Sequence, residues 1–156
     1  MTKFKGFFEL QTPQDLLRKL RHDFKRLGKS PMDSFAAFDF FVTAYHMLEW
    51  LHPGKSNKSK REQLESSNNL LQTVSHLANG AKHFQATHKQ HASVKYATVA
   101  QGTFGSAFSP DAFDVGELRV ELDGDAAREF GASIRVLELA DKVLSYWESN
   151  LYLATE

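Results

Sequence analysis

Two histidines stand seven residues apart in the segment Ser75-His-Leu-Ala-Asn-Gly-Ala-Lys-His-Phe84. Seven residues are about two helical turns, so on a helix His76 and His83 fall about 20° apart on one stripe. An imidazole near neutral pH can carry a proton, ligate a metal or join a hydrogen-bonded seam. In an acid/base reading His83 is the proton-transfer group, and His76 or Lys82 stabilises phosphate charge. Lys82 and His83 diverge on a regular helix, so one of them at most faces a given cleft. A second set, Asp39, Thr43, His46 and Glu49, follows helical spacing inside a strongly apolar run. A buried carboxylate is costly unless it is paired or protonated, so these groups need partners. His76 and His83 are the candidates, since a carboxylate beside an imidazole sets its tautomer and raises its pKa. The candidate catalytic residues are therefore His83, His76 and Lys82, and the candidate binding residues are Asp39, His46, Glu49 and Asn79. The same residues also fit a buried polar seam with no chemistry.

A metal reading is open, with a weaker signal. His46, Glu49, His76 and His83 are ligand types seen inside bundles. However, the di-metal carboxylate pattern is Glu-x-x-His on two helices, and here the order is His46-Met-Leu-Glu49, once. His83, His88 and His91 form a looser cluster near a helix end. With no cysteine in the chain, a disulfide framework, a thiol nucleophile and thiolate-held metals are excluded. There is no Gly-rich phosphate loop and no Gly-x-Ser-x-Gly elbow. Gly102-Thr-Phe-Gly105 lacks the strand–turn–helix setting of a nucleotide site. No cofactor is expected.

The elements that must hold these residues read as four helices and one β-hairpin. Thr12-Pro-Gln-Asp15 starts the first helix, which runs to about Leu27 and ends at Gly28. Leu16, Leu17, Leu20, Phe24 and Leu27 form its apolar face, and Arg18, Lys19, Arg21, Lys25 and Arg26 the other. Ser30-Pro-Met-Asp33 repeats the start signal for a second helix ending near Leu51. That helix is apolar on most sides, so it is either central to the fold or packed against a second subunit. A domain of 156 residues has difficulty surrounding one helix, which favours a homodimer. Ser59-Lys-Arg-Glu62 reads as a capping box for a third helix that continues through Asn79-Gly80 to Phe84. It buries Leu70, Val74, Leu77, Ala81 and Phe84, and Gly80 marks a close helix–helix approach. Val94, Tyr96 and Thr98 alternate with their neighbours, as do Leu118, Val120 and Leu122, which predicts two half-buried strands. The long connection between them carries Phe104, Phe108 and Phe113, either packed on the core or lining a small-molecule pocket. Asp123-Gly-Asp125 leads into a last helix from Ala126 to about Leu153. The fold class is mainly α: a four-helix bundle with a β-hairpin inserted between helices three and four, in one domain spanning 1–156.

Hydrophobic residues make up 42% of the chain and charged residues 24%, an ordinary globular balance. Residues 1–61 carry 12 Lys/Arg against 6 Asp/Glu, and the remainder 7 against 13. These halves either cancel on packing or leave the basic first helix to meet an anion such as RNA. The start, Met1-Thr-Lys-Phe-Lys-Gly-Phe-Phe8, has no apolar run suited to a signal peptide. The run from Phe35 to Leu51 is interrupted by Asp39, His46 and Glu49, so no membrane span is expected. A cytoplasmic location is the expectation.

Phe40-Phe-Val-Thr-Ala-Tyr-His46, followed by Leu77-Ala-Asn-Gly-Ala-Lys-His-Phe84, resembles a group of small uncharacterised bacterial proteins. They share an aromatic "FFVTAYH…W" helix and a later "LANG-x-KHF" helix. The match covers about a quarter of the chain. More loosely, the plan resembles HEPN domains, which are dimeric helical bundles. Many of these are metal-independent ribonucleases of toxin–antitoxin and phage-defence systems. Their motif is an Arg, four to six residues, then a His. With His83 as that histidine, the Arg would stand at 76, 77 or 78, where this chain has His76, Leu77 and Ala78. The expected function is a non-catalytic homodimeric binding or accessory protein. The alternatives are a ribonuclease of this type using His83, and a metal or small-molecule site in the bundle.

Overall fold

Local capping chemistry starts the first two helices. The Thr12 hydroxyl accepts from the Asp15 N–H at 3.2 Å, and the Asp15 carboxylate accepts from the Thr12 N–H at 3.0 Å. This capping box, with Pro13 in the first turn, opens α1 (Pro13–Lys29). The N–H of Gln11, then the Thr12 hydroxyl, hold the Asp15 carboxyl below its ordinary range. The second start lies later than the sequence suggests. Asp33 rather than Ser30 caps α2 (Ser34–Leu51), accepting from the N–H groups of Phe35 at 2.9 Å and Ala36 at 3.2 Å.

The computed structural model describes residues 5–83, 93–100 and 116–151. The chain is mainly helical, with a small three-stranded antiparallel sheet. Phe84, His88, His91, Phe104, Phe108 and Phe113 lie outside the described residues, as does the end of the last helix beyond Leu151.

The expected third helix is two helices. After a 3-10 turn (Lys55–Asn57), α3 (Lys58–Ser66) ends and α4 (Asn69–His83) begins anew. The Ser59–Glu62 box is not used, because α3 already starts at Lys58, behind an Asn57 that makes no side-chain cap bond. The break falls in Ser66-Ser-Asn-Asn69. Ser66 and Ser67 hydroxyls donate to the carbonyls of Gln63 at 3.1 Å and Leu64 at 3.2 Å. Asn68 Oδ1 accepts from Leu70 and Leu71 at 2.9 and 3.1 Å, which caps α4. Short polar side chains compete with the helix ladder in this way, and four in a row end it.

α4 does run through Asn79-Gly80, as expected. Asn79 Nδ2 donates to the Ser75 carbonyl one turn earlier, at 2.8 Å, so the residue that would favour a turn is tied into the helix. The close approach expected at Gly80 is not found among the described residues, where a Cβ would have nothing within 4 Å.

The expected last helix is also divided. α5 (Gly124–Phe130) stops at Gly131, whose φ of +94° suits glycine, and its N–H closes on the Ala127 carbonyl at 2.9 Å. Ser133–Arg135 then forms β3, and α6 (Val136–Asn150) follows. β1 (Val94–Ala100) and β2 (Glu117–Leu122) pair antiparallel, and β3 joins the other side of β2 with Val120 opposite Ile134. The hairpin is thus extended by a third strand cut from the expected helix.

β2 alternates as predicted, burying Leu118, Val120 and Leu122. β1 does not keep the predicted face. A register shift between Val94 and Tyr96 puts Ala97 opposite Val120 and Val99 opposite Leu118, whereas Tyr96 stands opposite Glu121. Opposed residues share a face, so the irregularity moves Tyr96 and Thr98 to the outer side.

α2 packs on α1, α4 and α6, burying Ala36, Ala37, Phe40, Phe41, Ala44, Met47 and Leu48. Leu20 and Leu27 of α1, Val74 of α4, and Leu139 and Val143 of α6 complete the centre of the core. No described helix is long and apolar enough to cross a membrane.

Candidate functional site

His76 sits half-buried at the edge of the α4 apolar stripe, as the helical spacing predicts. Its Nδ1 accepts the Val94 N–H at 3.1 Å, which ties the start of β1 to α4. That assigns Nδ1 as the unprotonated nitrogen in this contact. Replacing His76 with Ala is expected to cost about 1 kcal/mol, the usual worth of one such bond. Faster hydrogen exchange at the Val94 amide is the local signature to measure.

Lys82 is exposed. The backbone of His83 closes α4, and its side chain lies outside the described residues. Asn79 is half-buried and committed to Ser75, and it also bonds the Tyr45 side chain. Burial raises the Tyr45 phenol above its ordinary range, and the Asn79 bond partly offsets this.

The α2 polar set lies on a different face from the one expected. Asp39, His46 and Glu49 share the outward stripe of α2 with Phe35 and Phe38. His46 and Glu49 are exposed, and Asp39 is half-buried and bonded to Arg26 Nη1. Asp39 and His46 border a recess of about 230 Å³ between the N-terminal segment, α1 and α2. His76 faces β1 instead. The carboxylates thus find their partner on α1 or in solvent, and not in the α4 histidine. Among the described residues, no three His, Asp or Glu side chains group closely enough to hold a metal ion.

Four of the five α1 cations expected to make a basic face are in ion pairs. Arg18 meets Asp15 at 3.2 Å, Lys19 meets Asp23 at 2.6 Å, Arg21 meets Glu148 at 2.8 Å, and Arg26 meets Asp39. The face carries less uncompensated charge than its sequence suggests.

The sequence reading missed two features. The first is Asp23, buried between α1 and α2 and bonded to Lys19 Nζ and to Thr43 Oγ1 at 2.8 Å. Its signal was present: Leu16, Leu20, Asp23 and Leu27 follow the helical period, so an acid occupies an apolar position. The second is an apolar groove of about 330 Å³. The inner face of β1 and β2 (Ala97, Val99, Leu118) forms one wall, and α2 and α4 (Phe38, Phe41, Leu77) the other. Of its lining residues Val99 is 55% exposed and Phe38 50%, and Phe35, one turn before Phe38 on α2, is 77% exposed. Bare aromatic side chains next to an apolar recess are the kind of surface that contacts another molecule.

No protein-family model, no curated protein and no solved structure matches this chain. The function must therefore be argued from the chain's own geometry. On α2 and α4, Asp39, Thr43, His76 and Asn79 are spent on ion pairs, on bonds between elements and within the helix, and the apolar groove of about 330 Å³ exceeds the recess beside Asp39 and His46.

Proposed function

We propose that this protein is a non-catalytic binding or accessory protein that works as a homodimer. The observation that carries this reading is the juxtaposition of Phe35 and Phe38 with the groove between α2, α4 and the sheet. A two-fold interface uses the same patch on both subunits, so it needs projections and a recess within one patch. Phe35 projects from the first turn of α2, and its neighbour Ser34 and Phe38, one turn on, line the groove. An aromatic anchor in a pocket is also the usual centre of an interface in energetic terms.

Sedimentation equilibrium tests the dimer. The wild-type chain is expected to be dimeric at micromolar concentration. Phe35→Asp is expected to weaken association by about 30-fold or more, the loss that follows from removing one aromatic anchor. Because Phe35 is exposed in the monomer, the variant should keep its helical circular dichroism. A wild-type chain that is monomeric throughout would overturn the homodimer. Cleavage of RNA in EDTA by the wild-type, lost in His83→Ala, would overturn the non-catalytic half of the proposal.

A further inference from the structure

The sheet has one long bare edge. Its strand order is β1-β2-β3, and β3 is three residues long before α6 begins. β1 is the other edge, and it carries little of what keeps such an edge from pairing. Its bulge and its one charge, Lys95, lie at its start. Tyr96-Ala-Thr-Val-Ala100 has neither charge nor proline.

Two bonds of β2 fix which residues of β1 face that edge. Leu122 donates its N–H to the Ala132 carbonyl on the β3 side at 2.9 Å, and Asp123 donates to the Ser93 carbonyl on the β1 side at 3.0 Å. Peptide groups alternate in direction along a strand, so Glu121 and Arg119 also point to β1. They stand opposite Tyr96 and Thr98. Tyr96 and Thr98 therefore bond β2, whereas Ala97 and Val99 turn their N–H and C=O to the free edge. Among the described residues no group meets them. The side chains of the same two residues lack cover. Ala97 and Val99 lie on the inner face, opposite the buried Val120 and Leu118, yet both are exposed. One added strand would pair their backbone and extend the inner face beside them. Phe38 stands across the groove from them, so this edge belongs to the patch already assigned to the homodimer.

We propose that β1 pairs antiparallel with β1 of a second copy, on a two-fold axis at Thr98, to make one continuous sheet across the dimer. This pairing rests on the homodimer reading and states where its axis lies. The edge complements itself about Thr98. Ala97 of each chain exchanges both ladder bonds with the partner's Val99, since both residues point outward. Thr98 faces its own copy, a favourable cross-strand pair, and no charges are opposed between Tyr96 and Ala100.

Cross-linking of the full chain tests the register. The chain has no cysteine, so Thr98→Cys introduces a single thiol. On the axis, in a non-hydrogen-bonded pair, the two Cα atoms would lie about 4.5 Å apart, within reach of a disulfide. Tyr96→Cys lies on the same face, but its two copies would be about 13 Å apart along the strands. Under mild oxidation at micromolar concentration Thr98→Cys is expected to become a covalent dimer and Tyr96→Cys is not. Ala97→Pro removes an outward N–H and leaves the ladder to β2 intact. It is expected to weaken association by about 30-fold, the worth of two such hydrogen bonds per dimer, with helical circular dichroism unchanged. If Thr98→Cys cross-links no better than Tyr96→Cys while the wild-type sediments as a dimer, this pairing fails and the homodimer forms through another surface. A folded Ala97→Pro chain that associates as the wild-type does also overturns it. A monomeric wild-type chain overturns both the pairing and the reading it rests on, and leaves the edge to an extended segment of another protein.

Discussion

Phe40→Ala is expected to lower the free energy of unfolding by about 3–5 kcal/mol, the largest single loss in this fold. Phe40 is 0% exposed and lies on the side of α2 that meets its neighbours. Its ring stands edge-on to Phe41 at 5.2 Å and tilted against Phe24 of α1 at 6.1 Å. Truncation removes the transfer energy of a full aromatic ring and leaves a cavity that three packed helices cannot collapse to fill. Against a typical total of about 5–15 kcal/mol, this is a large share of the whole stability. A urea titration should show the midpoint falling with the slope unchanged. A loss under about 1 kcal/mol would mean that Phe40 is not at the centre of the packing.

Lys19→Ala is expected to cost about 2 kcal/mol, and more than Asp23→Asn does. The Asp23 side chain is 4% exposed and lies 2.6 Å from Lys19 Nζ. Thr43 Oγ1 lies 2.8 Å from both the Asp23 carboxylate and the Asp39 carbonyl, and it has one proton to donate between them. Without Lys19, a buried carboxylate keeps at most a shared hydroxyl. Breaking a buried pair from one side typically costs about 3–5 kcal/mol. The Lys19 side chain is 40% exposed, so solvent already screens part of that interaction and the figure is reduced accordingly. Asp23→Asn removes the charge and keeps an acceptor, while Lys19 can turn to water, so about 1 kcal/mol is expected. The two single variants and the double variant form a cycle that isolates the coupling. A Lys19→Ala loss no larger than that of Arg18→Ala, whose side chain is 65% exposed, would show that the buried pair adds nothing special.

Local signals in this chain were read correctly where a few neighbouring residues suffice. Thr12, Pro13 and Asp15 open α1 because the bonds they make reach no further than four residues. Leu118, Val120 and Leu122 point inward because the pleat alternates whatever the strand packs against. The Ser66–Asn69 break was also local, but the apolar period running past it concealed it. Gly131 was hidden in the same way. Its φ of +94° and the pairing of Ile134 with Val120 require β2, which lies about a dozen residues earlier.

The candidate site was legible only in its residue types. Helical spacing correctly set His76 at the edge of its stripe, and correctly placed Asp39, His46 and Glu49 on one side of α2. It could not say which side of α2 would meet α1, α4 and α6, because a helix apolar on most sides offers several faces of similar burial energy. Packing resolved that choice by turning Ala36, Phe40, Ala44 and Met47 inward, which left His46 and Glu49 in solvent and Phe35 bare. The start of α1, the alternation of β2 and the run of α4 follow from the chain, since their energies are local. The partner of His76, the bond from Thr43 to Asp23 and the groove beside Phe38 follow from contacts between residues far apart in sequence, for which composition and period carry no information.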